Sequence, residues 1–140
     1  MFNLLKDCTL CPRDCHADRI AGKVGYCSET ADLVVARAAL HMWEEPCISG
    51  EKGSGTVFFS GCALGCVYCQ NHYISRGLAG KKVTIERLAE IFLELENKGA
   101  NNINLVTPSH YVPQIIMALS LSRNAGLSLP IVYNCSGYEK

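Results

Sequence analysis

Beyond residue 50 the chain alternates short apolar runs with amphipathic ones. Residues 56–60, TVFFS, are an apolar run after a glycine-rich stretch and predict a buried strand. Residues 84–99, TIERLAEIFLELENKG, put Ile85, Leu88, Phe92 and Leu95 on one helical face, with Ala89 beside them. Thr84 suits the N-cap of that helix and Gly99 its stop. Residues 102–107, NINLVT, predict a second strand. Residues 113–126, PQIIMALSLSRNAG, predict a second helix, with Pro113 in the first turn and Gly126 at the C-cap position. Residues 130–134, PIVYN, predict a third strand. The order is β-α-β-α-β, an α/β pattern whose crossovers imply parallel strands and right-handed connections. The loops after the three strands, GCALGCVYCQN, PSHYV and CSGYEK, should then converge on one rim.

The first part of the chain is patterned differently. Residues 1–48 carry Cys8, Cys11, Cys15, Cys27 and Cys47 and few long periodic segments. One run, LVVARAAL at 33–40, is β-branched enough for a strand, and ISGEKGSG at 48–55 reads as a linker or turn. The expected organisation is a small cysteine-rich, metal-binding lobe over 1–48, followed by an α/β unit over 49–140. Three strands cannot close an eight-stranded parallel barrel, and an exposed last parallel strand is a liability. The chain is therefore expected to be the first portion of a partial TIM-like barrel from a longer protein.

Composition narrows the functions. Among 140 residues, 13 basic side chains balance 13 acidic ones, so no basic field favours nucleic acid. Apolar runs such as 115–121 are too short to cross a bilayer, and the opening MFNLLKDCTLC lacks the pattern of an export signal. Nine cysteines are an odd count gathered in tight clusters, which argues against a disulfide framework and for reduced, metal-binding thiols in the cytoplasm.

The densest cluster is Cys62, Cys66 and Cys69, spaced Cys-x3-Cys-x2-Cys, in the loop after the first strand of the α/β unit. A closed structural zinc site wants four ligands. Three thiolates on a cubane of four irons leave one iron open to an external ligand. Gly61 and Gly65 permit a loop that wraps closely around a bulky group, and Tyr68 offers a flat face for a stacked ring. A zinc loop completed by Cys47 or His72 is the simpler alternative.

The motif and its βα setting resemble the radical S-adenosylmethionine superfamily, over about residues 56–140. GCALGCVYCQN is most similar to the branch whose best-known member activates pyruvate formate-lyase. The resemblance implies a 4Fe–4S cluster on Cys62, Cys66 and Cys69. It implies that the open iron is chelated by the methionine moiety of S-adenosylmethionine. One electron then cleaves the sulfonium to give a 5′-deoxyadenosyl radical that abstracts hydrogen. Tyr68 would lie near the adenine, with backbone contacts from Cys69 and Gln70. The family usually has Gly-Gly-Glu after the second strand; this chain has VTPSHY, so Thr107, Pro108 and Ser109 are retained as a contact region without a carboxylate. Alternatively Pro108 merely ends the strand and His110 is a surface residue. After the third strand, YNCSGY resembles the family's polar strand end, which makes Asn134 and Ser136 candidates and leaves Cys135 as a core or strand residue. His72 and His110, near the same rim, could donate to a carboxylate or serve structure alone.

At the N-terminus Cys8, Cys11, Cys15 and Cys27 form Cys-x2-Cys-x3-Cys-x11-Cys, four thiolates that could close around zinc or an auxiliary iron–sulfur cluster. Thiols alone do not choose between the two. Cys47 is unassigned, and Pro46 beside it suggests a simple turn. CPRDC with a later GYC is similar to the N-terminal extension of radical enzymes related to the activating enzymes. The resemblance further implies an oxidoreductase that takes electrons from a flavodoxin or ferredoxin, with a glycyl radical enzyme as a conceivable protein substrate and no nucleic acid or membrane partner. Two other readings stay open: a metal-stabilised electron-transfer or scaffold module, and a portion that binds a cluster but lacks activity by itself.

Overall fold

The computed structural model describes residues 3–140. Its elements are short helix α1 (Asn3–Lys6), strand β1 (Val34–His41), short helix α2 (Pro46–Ser49) and strand β2 (Ser54–Phe59). Short helix α3 (His72–Ser75), strand β3 (Lys81–Lys82), helix α4 (Ile85–Asn97) and strand β4 (Ile103–Val106) follow. A 3-10 turn (Ser109–Tyr111), helix α5 (Val112–Asn124) and strand β5 (Ile131–Asn134) complete the order.

The sheet runs β3-β1-β2-β4-β5. Strands β2, β4 and β5 are parallel, as the alternating pattern predicts. The expectation of a wholly parallel sheet needs correction, because β1 and β3 add an antiparallel edge. The run assigned to the N-terminal part thus pairs with β2, from Val35 opposite Phe59 to His41 opposite Ser54. The connection from β1 to β2 holds only the four-residue helix α2, no full crossover helix, and the chain returns antiparallel. The pairing covers the edge of β2 that would otherwise lie open, and the sheet crosses the division expected at residues 48 and 49. The segment read as a linker or turn holds a turn over 50–52, between the end of α2, which has Pro46 in its first turn, and the start of β2.

Helices α4 and α5 cover one face of the sheet. Leu88, Phe92 and Leu95 of α4 are buried against Val57, Phe59, Ile103 and Leu105, joined by Ile115 and Ala118 of α5. The Thr84 hydroxyl accepts from the Arg87 amide at 3.1 Å, capping α4. Gly99 follows the last turn at φ +87°, a conformation that costs glycine little. The strands present their alternate residues to the opposite face. Arg37, Ala39 and His41 of β1 lie in register with Thr56 and Phe58 of β2, then Asn104 and Val106 of β4, then Val132 and Asn134 of β5. This face mixes polar residues with Ala39, Phe58, Val106 and Val132, and neither α4 nor α5 covers it.

Candidate functional site

The loop after β2 begins with Gly61 at φ +80°. A side chain there would strike the Cys27 carbonyl and Glu29, so the loop turns tightly against the N-terminal segment. Cys62, Cys66 and Cys69 are unpaired and partly exposed, and a turn closed by the Cys69 amide on the Cys66 carbonyl at 3.3 Å joins the last two. Tyr68 is 88% exposed and meets no other ring among the described residues. Three soft thiolate donors on one glycine-bearing loop match the donor chemistry of an iron–sulfur cluster. Among the described residues, no three thiol, imidazole or carboxylate groups converge closely enough to chelate a single metal ion.

Gln70 and Asn71, directly after the last cysteine, line a chamber of about 530 Å³. Its other walls are Arg37 and His41 of β1, Phe58 of β2, Val106 of β4 and Asn134 of β5, and Trp43 and Glu44 extend it beyond β1. A cavity of this size, lined mostly by polar side chains with Trp43, Phe58 and Val106 between them, suits a polar small-molecule cofactor or substrate. Sequence reasoning named Gln70 and Asn134 but missed Arg37, His41, Trp43 and Glu44. The signal was the alternation of Arg37 and His41 within an apolar run, which puts both on one face of a strand. A groove of similar volume, about 550 Å³, lies at the other end of the sheet near Cys47, Asn101 and Pro130, away from the three-cysteine loop.

The loops after β2, β4 and β5 meet at one rim. The Thr107 amide donates to the Asn134 carbonyl at 2.9 Å, and the Ser109 hydroxyl donates to Glu139 at 2.7 Å. Thr107 sits at φ +57°, a strained choice for a β-branched residue, at the position where a glycine-rich stretch is expected. Pro108 and Ser109 are buried, whereas Ser136 is exposed and its hydroxyl accepts from the Tyr138 amide. Cys135 is exposed just beyond β5, which corrects its reading as a core or strand residue. Cys47 is exposed in the first turn of α2, and His72 is exposed at the start of α3.

His110 is no surface residue. It is 2% exposed, and its Nε2 lies 2.6 Å from the Ser60 carbonyl. Burial, aided by the Arg19 charge, lowers its pKa to about 4 against the pull of that carbonyl. Arg19, also buried, donates to the His110 carbonyl at 2.6 Å and to the Thr30 carbonyl at 2.7 Å. The Tyr111 hydroxyl donates to buried Glu29 at 2.9 Å; burial, then Glu29, raises the Tyr111 pKa. This network ties the N-terminal segment to the loops after β2 and β4.

Of the four N-terminal cysteines, Cys8, Cys11 and Cys27 are buried and Cys15 is exposed. Burial raises the thiol pKa values of Cys11 and Cys27, and the nearby charges of Cys8 and Cys15 add to both effects. The four are therefore electrostatic neighbours. Gly25 has no room for a side chain beside the Cys15 thiol.

A family model for the Radical SAM superfamily matches residues 56–139, from β2 to the rim segment after β5. The chain belongs to the radical SAM superfamily. Members of this superfamily typically use a 4Fe–4S cluster and S-adenosylmethionine, and the three-cysteine loop lies inside the matched radical SAM region. The chain is also similar to an uncharacterized protein of Methanocaldococcus jannaschii, 28% identical over 146 residues, a match covering 97% of the chain and 40% of that relative. The chain thus spans about two fifths of that relative's length. No solved structure matches it significantly. Among the described residues no helix is long and apolar enough to cross a membrane.

Proposed function

We propose that this chain is the cluster-bearing part of a radical SAM enzyme. Cys62, Cys66 and Cys69 would hold a 4Fe–4S cluster, and the chamber beside them would take S-adenosylmethionine. The observation that carries the reading is that three free thiols sit on one loop whose next two residues, Gln70 and Asn71, line that chamber. When bound, the cluster supplies one electron to the sulfonium, releasing methionine and a 5′-deoxyadenosyl radical.

The chain's residues bind and orient. Gln70, Asn71 and Asn134 offer amide donors and acceptors around the chamber, and Phe58 and Val106 add an apolar patch to its wall. Exposed Tyr68 supplies a ring for the adenine, with backbone polar groups of Cys69 and Gln70 beside it. Thr107, Pro108 and Ser109 close the neighbouring loop, and Ser136 extends the rim. A flavodoxin or ferredoxin would deliver the electron, and a glycyl radical enzyme is the protein substrate implied by the resemblance to the activating enzymes. The thiol-rich composition suits a reducing compartment such as the cytoplasm. The N-terminal cysteines would carry zinc or a second cluster.

The test is anaerobic reconstitution with iron and sulfide, followed by reduction and electron paramagnetic resonance with and without S-adenosylmethionine. A cubane signal that shifts on addition and is lost in Cys66→Ala supports the proposal. Zinc at both cysteine sets with no such signal leaves a metal-stapled binding module and overturns it.

A further inference from the structure

Between Cys62 and Cys66 lie three residues whose backbone carbonyls all accept from arginine. Arg13 Nε donates to the Ala63 carbonyl at 2.9 Å and Arg13 Nη2 to the Leu64 carbonyl at 3.1 Å. Arg76 Nη2 donates to the Gly65 carbonyl at 3.2 Å. The two arginines come from opposite directions in the sequence. Arg13 lies between Cys11 and Cys15 of the N-terminal set, and Arg76 follows α3. The Arg13 guanidinium stacks 3.8 Å from the centre of the Tyr26 ring, and Gly65 has no room for a side chain beside the Tyr26 hydroxyl.

Neither arginine makes an ion pair among the described residues. The acidic groups near Arg13 are already engaged: Asp14 pairs with Lys140, and Glu139 accepts from Ser109 and Tyr133. Each guanidinium therefore spends its donors on the loop carbonyls rather than on a carboxylate. A guanidinium keeps its charge, and its planar fork can take two successive carbonyls at once, which a lysine ammonium does not match.

We infer that Arg13 and Arg76 are positioning residues for the cluster loop, fixing the 63–65 backbone and raising the reduction potential of the group that the three thiols hold. The inference rests on the cluster reading above. The physical reason is that one-electron reduction adds negative charge beside the loop, and fixed cations stabilise the more negative state. Arg13 further makes the N-terminal cysteine segment a part of the cluster loop's support rather than a separate appendage.

The experiment compares the full chain with Arg13→Gln, Arg13→Lys and Arg76→Gln. Before reconstitution, hydrogen exchange reads the order of residues 61–71. After anaerobic reconstitution, a dithionite titration followed by electron paramagnetic resonance reads the midpoint potential, and a chelator reads the rate of iron loss. In Arg13→Gln, which loses two charged hydrogen bonds worth about tenfold each, exchange and iron loss should each quicken by more than about tenfold, and the potential should fall. Arg76→Gln should do the same more weakly, having one bond to lose. Arg13→Lys should recover the potential but not the loop order. An unchanged loop and potential in Arg13→Gln overturn the inference while leaving the cluster reading intact. A parent chain that binds no iron and sulfide overturns both. A variant that unfolds altogether is replaced by Arg13→Lys, whose unchanged exchange and iron-loss rates would equally overturn the inference.

Discussion

Acid should unlatch the rim of this protein at one residue, His110. Its Nε2 is 2.6 Å from the Ser60 carbonyl and must carry the proton it donates there, while Nδ1 is buried with no partner among the described residues. A second proton would put charge into an enclosed site beside Arg19. Burial therefore holds the pKa at about 4, against an ordinary 6.5. Between those two values the unfolded chain binds a proton that the folded chain refuses, so stability falls as pH falls from 6.5 towards 4. The full gap corresponds to about 3 kcal/mol, of which about 2 kcal/mol should be lost between pH 7 and pH 5. Urea unfolding of the metal-free chain at these two pH values measures it. His110→Gln keeps an amide donor near the Ser60 carbonyl and removes the titration. The parent should lose about 2 kcal/mol more than this variant over the interval. Equal losses would refute the assignment of the acid response to His110. Because Ser60 precedes the three-cysteine loop directly, hydrogen exchange at 61–71 should quicken over the same pH range.

Three further outcomes follow from the geometry. Thr107→Gly should raise stability by about 1 kcal/mol in urea unfolding, since relief of the φ +57° strain exceeds the extra chain entropy of glycine. Gly61→Ala should cost more than Gly22→Ala in thermal unfolding. Both glycines have positive φ, but only at Gly61 would a side chain strike Cys27 and Glu29, whereas Gly22 faces open space. Phe92→Ala, at a fully buried position, should cost about 3–5 kcal/mol and leave a cavity against the sheet, read by the shift in urea midpoint.

Some of this protein is written locally, and that part was legible. Helix α4 announces itself by the spacing of Leu88, Phe92 and Leu95 and by the Thr84 cap, because helical faces and caps depend on residues only a few positions apart. The three parallel strands and the three-thiol loop between them were visible for the same reason. Boundaries shifted by a residue or two where apolar runs fade gradually, as at β2 and α5.

What lay hidden depends on partners far apart in the chain. The run over 33–40 read as a strand, but nothing in it says that it pairs antiparallel with β2 and carries Arg37 and His41 to the chamber. A strand's pattern encodes its faces, not its neighbour. Whether His110 was a surface or a structural residue stayed open, because a lone histidine gives no hint of Ser60 and Arg19 closing over it. Arg13 sits 50 residues from the carbonyl it holds, inside a motif whose cysteines drew the attention. Sequence alone determined the α/β class, the two long helices α4 and α5, and the grouping of Cys62, Cys66 and Cys69 on one loop. Only the tertiary structure decided how the N-terminal segment closes on the three-cysteine loop, because long-range hydrogen bonds and shared burial follow from the packed whole rather than from any local pattern.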